Sequence, residues 1–283
     1  MRVLVLGAGG QLGSEMVRLF PQAVGLKHGD LSITDMAGIE RTFGQVRPEL
    51  VFNCAAYNAV DGAEGDPETA RLVNSVGAGM IAAACRRHEA RLVHFSTNFV
   101  FDGSQSRPYV ETDPTGPLGA YGRSKLDGER AVADALAGAL VIRTAAVFGD
   151  RGSAVKGGSF PERILERARK GERLRVVSDQ HVNPTYARHL AGAAAALAAG
   201  GMTGVIHVVA AGCCAWDELA RATLSECAVD VAVDSVTSGE LAARAPRPLN
   251  GCLASLRTAP LPPWRDGLAE WAANRAAVGP TNP

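Results

Sequence analysis

The sequence predicts an α/β fold, a doubly wound parallel sheet with a smaller C-terminal lobe. Three observations predict it. Short apolar runs alternate with helical periodicity through residues 1–149. A glycine-rich turn, Gly7 to Gly13, follows the first apolar run without a gap. Past Gly149 the rhythm changes to polar, glycine-rich sequence and shorter elements.

The run Val3-Leu4-Val5-Leu6 suits a strand buried on both faces. Residues 11–20 read as a helix, 23–26 as a short strand, and 33–46 as a helix ending before Pro48. Residues 50–54 form a third strand, and the alanine-rich stretch 64–87 predicts one long helix. A fourth strand, 91–95, ends at Ser96-Thr97. Helix 121–137 and strand 139–142 complete a βαβ alternation that calls for parallel pairing. Residues 150–158 are expected as a loop or lid, 160–170 as an amphipathic helix and 174–177 as a strand. Residues 185–199 read as a helix, and 205–209 as a late strand returning to the sheet. Helices follow at 216–227 and 265–274, separated by Pro260, Pro262 and Pro263. The tail, 278–283, is expected to be disordered.

Gly7, Gly10 and Gly13 stand in a GxxGxxG pattern between a strand and a helix. Glycines there permit a tight turn and close backbone approach to a pyrophosphate, and the helix N-terminus favours the anion. The fold is therefore expected to be Rossmann-type. Residues 1–149, with a returning segment near 178–209, form the expected dinucleotide-binding domain. Residues 150–177 and 210–283 form the expected substrate-binding lobe. An acidic residue at the end of the second strand would grip a ribose 2′-OH; this chain has Lys27-His28 there. A cation suits a 2′-phosphate, which tilts the reading towards NADPH and leaves NADH open; Lys27 as a plain exposed loop lysine is the other reading.

The chain has 283 residues, 47% of them hydrophobic, enough for a sizeable core. Lys+Arg and Asp+Glu are equal at 29 each, so no basic excess points to nucleic acid or to an anionic membrane. Any phosphate must be bound by local geometry. None of the six cysteines makes a CxxC pair, and no His stands at metal-ligand spacing from them. All six are expected as reduced thiols, with no metal site. The first residues run directly into a strand with no signal-peptide core, and the small-residue stretch 191–201 is too short to span a bilayer. A cytoplasmic protein is expected.

Tyr121 and Lys125, four apart on a helix, share one face. A phenol beside an ammonium can pass a proton to a carbonyl, because a nearby positive charge favours the ionised phenol. Thr97 could hold the same oxygen. With a dinucleotide at the glycine turn, these parts suggest hydride transfer between a cofactor and a C=O/CH–OH pair. His94 reads as a satisfied core histidine, His181 as a weak substrate contact, Trp216 as helix core, and Trp264 with Trp271 as a packing face.

Several segments together resemble the dTDP-4-dehydrorhamnose reductase family, within the extended short-chain dehydrogenases/reductases. They include Gly7 to Gly13, Gly29 to Asp35, Asn53 to Asp61, Phe95 to Gly103, Pro117 to Lys125, Asp179 through Pro184-Thr185-Tyr186-Ala187, and Pro260 to Asp266. The resemblance covers nearly the whole chain. It implies reduction of the 4-keto group of a dTDP-linked 4-keto-6-deoxyhexose with NADPH or NADH. It also implies roles. Tyr121 would donate the proton. Lys125 would bind the nicotinamide ribose and lower the Tyr121 pKa, and Thr97 would hydrogen-bond the keto oxygen. Gly10, Gln11, Leu12 and Gly13 would meet the pyrophosphate. Asp30 and Leu31 would flank the adenine, and Ala55, Ala56 and Tyr57 would line the cofactor channel. Asn98 and Ala146 would face the substrate, and Arg247 its diphosphate, with a solvated surface Arg the other reading at that position.

The chain departs from the family at Asn98 (usually Asp), Asn58 (commonly Thr), His189 (usually Asp) and Ala146, where a Trp normally lies against the sugar. These changes put the sugar in question, not the hydride chemistry. Some family members are Mg²⁺-linked dimers; a homodimer is open here, while no acidic cluster calls for the metal. The alternatives are an epimerase or dehydratase holding NAD tightly, and a non-catalytic NADP-binding regulatory subunit.

Overall fold

The computed structural model describes residues 1–150, 158–241 and 243–278, with Ala277 and Val278 described by backbone alone. Apart from Asp150, Gly158 and Val278, the predicted lid and the predicted disordered tail lie outside the described residues.

β1 (Val3–Leu6), α1 (Gln11–Leu19), β2 (Val24–Leu26), α2 (Met36–Val46) and β3 (Leu50–Asn53) open the chain. α3 (Val60–Gly65), α4 (Pro67–Arg71), a π-helical turn (Leu72–Gly77) and α5 (Ala78–Arg87) follow. Then come β4 (Arg91–Thr97), a 3₁₀ turn (Asn98–Val100), α6 (Ala120–Ala135) and β5 (Leu140–Thr144). The second part holds β6 (Val147–Phe148), α7 (Phe160–Arg169), β7 (Leu174–Val177), β8 (His181–Val182), β9 (Thr185–Tyr186) and α8 (Ala187–Ala199). β10 (Gly204–His207), β11 (Ala210–Ala211), β12 (Cys214–Ala215), α9 (Trp216–Glu226), β13 (Val233–Val236), β14 (Leu261–Pro263) and α10 (Trp264–Val278) complete it.

Six strands form one parallel sheet in the order β10-β5-β4-β3-β1-β2. β1, β3 and β5 are buried along their whole length, as strands covered by helices on both faces must be. One face packs Leu4, Leu6, Val51, Leu92 and Val141 with Ile39, Phe43, Ile81 and Val132 of the helices. The other packs Val5, Phe52, Val93 and Ile142 with Met16 of α1 and Leu190 of α8. From β1 the chain moves outward to β2 and then back to β3 on the opposite side. Ligands bind above such a reversal, at the carboxyl ends of the strands. A separate core of Ile164, Leu165, Leu174, Leu219, Trp264, Leu268 and Trp271 joins α7, α9 and α10, so the two late tryptophans are packing residues as expected.

The predicted helix over 64–87 is interrupted. Pro67 cannot continue a hydrogen-bonded helix, and Asp66 restarts one by accepting from the Thr69 backbone N at 3.0 Å. The π-helical turn then carries Asn74 inward, where it is 1% exposed. Thr185 and Tyr186 extend as β9 before α8 starts.

A second correction concerns the thiols. Cys213 and Cys252 form a disulfide, with Cα atoms 6.1 Å apart and a separation of 39 positions in sequence. Only the fold brings the β11–β12 turn against the segment after Asn250. Cys54, Cys85, Cys214 and Cys227 are free, and burial pushes each of these thiols up. They behave as small apolar groups.

Candidate active site

The glycine turn closes over the strand reversal. Gly7 has φ +74°, and a Cβ there would lie 2.7 Å from the Ala55 backbone N. A Cβ on Gly13 would collide with the Gly7 carbonyl oxygen. β1, α1 and the stretch after β3 thus meet backbone to backbone, which no residue with a side chain permits. Gln11 and Leu12 start α1 beside this cradle. Lys27 folds its side chain over Gly9 and lines a cleft with Ala8, Ser14 and Arg18. The Asp30 carboxylate accepts from the Lys27 backbone N at 2.8 Å, and Leu31 is buried behind it.

Ala55, Ala56 and Tyr57 form the opposite rim. The Ala55 backbone N donates to Asn53 Oδ1, and the Tyr57 backbone N to Asn74 Oδ1 at 2.9 Å. Asn74 Nδ2 in turn reaches the Tyr57 carbonyl and Ser124 Oγ. One buried amide therefore ties the rim to α6. Sequence reasoning passed over Asn74; a lone Asn within an alanine-rich apolar helix was the available signal.

α6 is half buried along a face that includes Ser124, Lys125 and Glu129. Glu64 of α3 fixes its start by accepting from the Ala120 backbone N at 2.6 Å, a favourable charge at a helix N-terminus. A Cβ on Gly122 would strike the Phe99 carbonyl, so α6 lies directly on the turn after β4. That contact brings Tyr121 edge-on to Phe99, with ring centroids 5.4 Å apart, and sets its hydroxyl against Thr97. The Thr97 hydroxyl also accepts from the Phe99 backbone N at 3.2 Å. Lys125 Nζ donates to the Phe95 carbonyl at 2.6 Å.

Burial pushes the Tyr121 phenol up to about 12, and the Thr97 hydrogen bond only partly opposes it. The expected lowering of Tyr121 is thus reversed, because desolvation outweighs every favourable partner. Burial brings Lys125 down to about 8, against the pull of Glu129. At neutral pH the phenol keeps its proton and the amine keeps its charge. His94, beside them on β4, accepts from Asn53 at Nδ1 while its buried Nε2 has no partner, so it is half satisfied rather than satisfied. Thr144, the register partner of Thr97, also holds a buried hydroxyl without a partner.

A cleft opens next to Phe99, lined by Arg163, Arg167, Arg175 and Arg247 with Phe160 and Trp216. Phe160 and Trp216 rings lie 4.7 Å apart, so Trp216 is a cleft wall as well as helix core. Three of these arginines and Phe160 escaped sequence reasoning, because they lie on α7 and β7 with no shared spacing; Trp216 of α9 is the ring expected as helix core. Arg247 is held by Asp61 at 2.7 Å, across from α3. Asn98 lines the same cleft, yet its amide donates to the Gly251 carbonyl at 2.9 Å. Ala146 does not line it; it turns the chain between β5 and β6 with φ 43°. His181 lies off the cleft, bracing Leu249 and Gly251 through its backbone. Among the described residues no three His, Cys, Asp or Glu side chains group as metal ligands, and no helix is long and apolar enough to cross a membrane.

Residues 1–276 match the family model described as RmlD substrate binding domain. A dTDP-4-dehydrorhamnose reductase from Mycobacterium tuberculosis is 40% identical over 286 residues, covering 95% of this chain and 91% of the relative. A dTDP-4-keto-6-deoxy-D-glucose reductase from Streptomyces niveus is 38% identical, covering 86% of each. The crystal structure of a Bacillus anthracis dTDP-4-dehydrorhamnose reductase in complex with NADP superposes with a TM-score of 0.91 at 29% identity, covering 97% of this chain and 99% of that one. A six-stranded parallel sheet, a Thr-Tyr-Lys constellation at its carboxyl edge and end-to-end similarity have one reading: the chain belongs to the dTDP-4-dehydrorhamnose reductase family.

Proposed function

We propose that this chain is an NAD(P)H-dependent reductase of the 4-keto group of a dTDP-linked 4-keto-6-deoxyhexose. The convergence of Thr97, Tyr121 and Lys125 beside the Gly7–Ala55 crevice carries the reading. The residues present fit a dinucleotide. The Gly7 and Gly13 positions leave a backbone cradle that a Cβ would fill, and the orphaned Thr144 hydroxyl waits at the same edge. Gly10, Gln11, Leu12 and Gly13 would hold the pyrophosphate. Lys27, folded over Gly9, supports a 2′-phosphate and hence NADPH; Arg18 in the same cleft is bonded to Glu15. Asp30 and Leu31 would flank the adenine, and Ala55 to Tyr57 the channel. The cofactor, when bound, supplies hydride.

The chain's own residues handle the proton. Thr97 hydrogen-bonds the keto oxygen and Tyr121, neutral at physiological pH, gives its proton to it. The Lys125 charge then stabilises the phenolate left behind, and its ammonium binds the nicotinamide ribose. Positioned acid catalysis of this kind contributes roughly 10²–10⁴-fold. Four guanidinium groups suit a diphosphate, and Phe160 with Trp216 suits a flat base. Residues 1–149 with the return through β10 serve the cofactor; the remainder serves the sugar nucleotide. A cytoplasmic location belongs to the reading, and a homodimer stays open. Against a reducing surround stands the Cys213–Cys252 bond.

NADPH and NADH oxidation with dTDP-4-keto-6-deoxy-glucose, with and without a 3,5-epimerase, tests it. Turnover that needs the epimerase and collapses in Tyr121→Phe establishes a rhamnose-type reductase. Turnover without it assigns the other configuration at the neighbouring carbons. NADPH binding with no turnover of any keto sugar tried would sink the catalytic reading.

A further inference from the structure

The catalytic lysine stands over a second buried charge system that the proton transfer does not use. Glu129 lies one turn beyond Lys125 on α6, and each is at most 5% exposed. The Glu129 carboxylate accepts from Ser96 Oγ at 2.5 Å, from Arg143 Nε at 2.9 Å and from Arg143 Nη2 at 2.7 Å. Arg143 is itself 5% exposed, lies over the Phe101 ring at 5.2 Å and approaches His207 Nε2 at 3.5 Å. With three donors on it, the carboxylate has no freedom to turn. Ser96 and Thr97 are neighbours on β4, and Lys125 donates to the carbonyl of Phe95 on the same strand. One strand thus registers the carboxylate, the ammonium and the Thr97 hydroxyl against each other.

A buried ion pair of this kind is poor at stabilising a fold, since desolvation offsets the attraction. Its place next to a reacting lysine calls for another explanation. We propose that Glu129 is a positioning residue for the reduction: clamped by Ser96 and Arg143 one turn from Lys125 on α6, its carboxylate sets a fixed negative charge beside the Lys125 ammonium. This rests on the reductase reading above. The two groups do not need to touch; Lys125 gives its hydrogen bond to Phe95, and Glu129 acts through its field in a poorly screened interior.

Other groups around Lys125 do not take that part. Tyr121 stays neutral, and His94 is held well below its usual value by burial and by Lys125 itself, so it is uncharged too. Arg143, from β5, gives its guanidinium to Glu129. Glu64 of α3 is bound at the start of α6. Tyr57 and Tyr121 pack against the same cluster of Ala63, Ala70 and Ala120, and Arg71 of α4 faces Asp127 on the outer side of α6.

The test is the pH dependence of kcat and of NADPH dissociation, followed by nucleotide fluorescence from pH ~6 to ~10. Wild type is expected to lose both turnover and binding as pH rises through about 8, where Lys125 loses its proton. In Glu129→Gln this alkaline limb moves down by about one pH unit, a roughly five-fold loss at pH ~8 that recovers near pH ~6. Glu129→Asp keeps the charge and the wild-type limb. If Glu129→Gln does not fold, the double variant Glu129→Gln/Arg143→Met leaves no unpartnered charge, and its limb moves the same way by less. A uniform fall at every pH with the limb unmoved, in the single or the double variant, overturns the proposal. Should wild type bind NADPH but reduce no keto sugar, the reductase reading falls, and the limb in NADPH binding still decides the part played by Glu129.

Discussion

Residues at this site are governed by desolvation more than by their immediate partners. Tyr121 sits up at about 12 despite Thr97, and Lys125 down at about 8 despite Glu129. Replacing Tyr121 by Phe keeps the ring against Phe99 and removes only the proton. We expect kcat to fall at least roughly 10²-fold while NADPH binding changes little, measured by turnover beside fluorescence titration. Acid stability is decided nearby. Burial holds His207 below its ordinary value and His94 well below it. The unfolded chain therefore binds protons below about pH 6.5 that the folded chain refuses, so stability is complete above that pH and is lost as pH falls. Calorimetry should show Tm dropping between pH ~7 and ~5, and dropping less in His207→Gln. These residues were legible as types and spacings. Their charge states were not, because burial comes from elements distant in sequence, β4 beside Lys125 and the cluster of Ala63 and Ala70 beside Tyr121.

Elements carry the alignment. The π-helical turn and its Asn74 join the rim after β3 to α6 through Tyr57 and Ser124. Asn74→Ala leaves buried backbone groups without partners, costing about 2 kcal/mol in urea unfolding and weakening NADPH binding along with kcat. Asn74→Asp, which keeps an acceptor for Tyr57 but no donor, is expected to recover part of it. Gly13→Ala forces α1 off the Gly7 carbonyl, and loss of NADPH binding by at least roughly ten-fold is the expected readout. The glycine turn could be read from sequence because its strand and helix are adjacent. The break in the 64–87 stretch was signalled by Asp66-Pro67 but hidden by the alanine-rich periodicity around it.

The whole molecule joins two cores at the cleft. Asp61 of α3 grips Arg247 and the Ala245 backbone N, and Asn98 after β4 grips Gly251, so the late segment 245–253 is seated on the sheet's carboxyl edge. Asp61→Asn should raise the KM for the sugar nucleotide several-fold with NADPH affinity unchanged, a split that steady-state kinetics resolves. The same segment is pinned by Cys213–Cys252. Closing a loop of that length is worth about 4 kcal/mol in the chain-entropy account, so Cys213→Ser should lower the urea midpoint of the oxidised protein towards that of the reduced wild type. If reducing agent leaves the wild-type midpoint unmoved, the bond contributes nothing in solution.

The amino-acid sequence by itself determined the parallel α/β order, the glycine turn and the Thr97-Tyr121-Lys125 set. Those depend on periodicity within single elements and on chemistry spaced along neighbouring ones. Only the tertiary structure decided the arginine cleft, the Cys213–Cys252 bond, the Asn74 link and the Glu129–Arg143 pair beneath Lys125. Each joins residues from elements far apart in sequence, and neither composition nor period records a contact that exists only once the sheet is assembled. The protonation of Tyr121 and Lys125 belongs with them, since water is excluded by the assembled walls and not by the side chains alone.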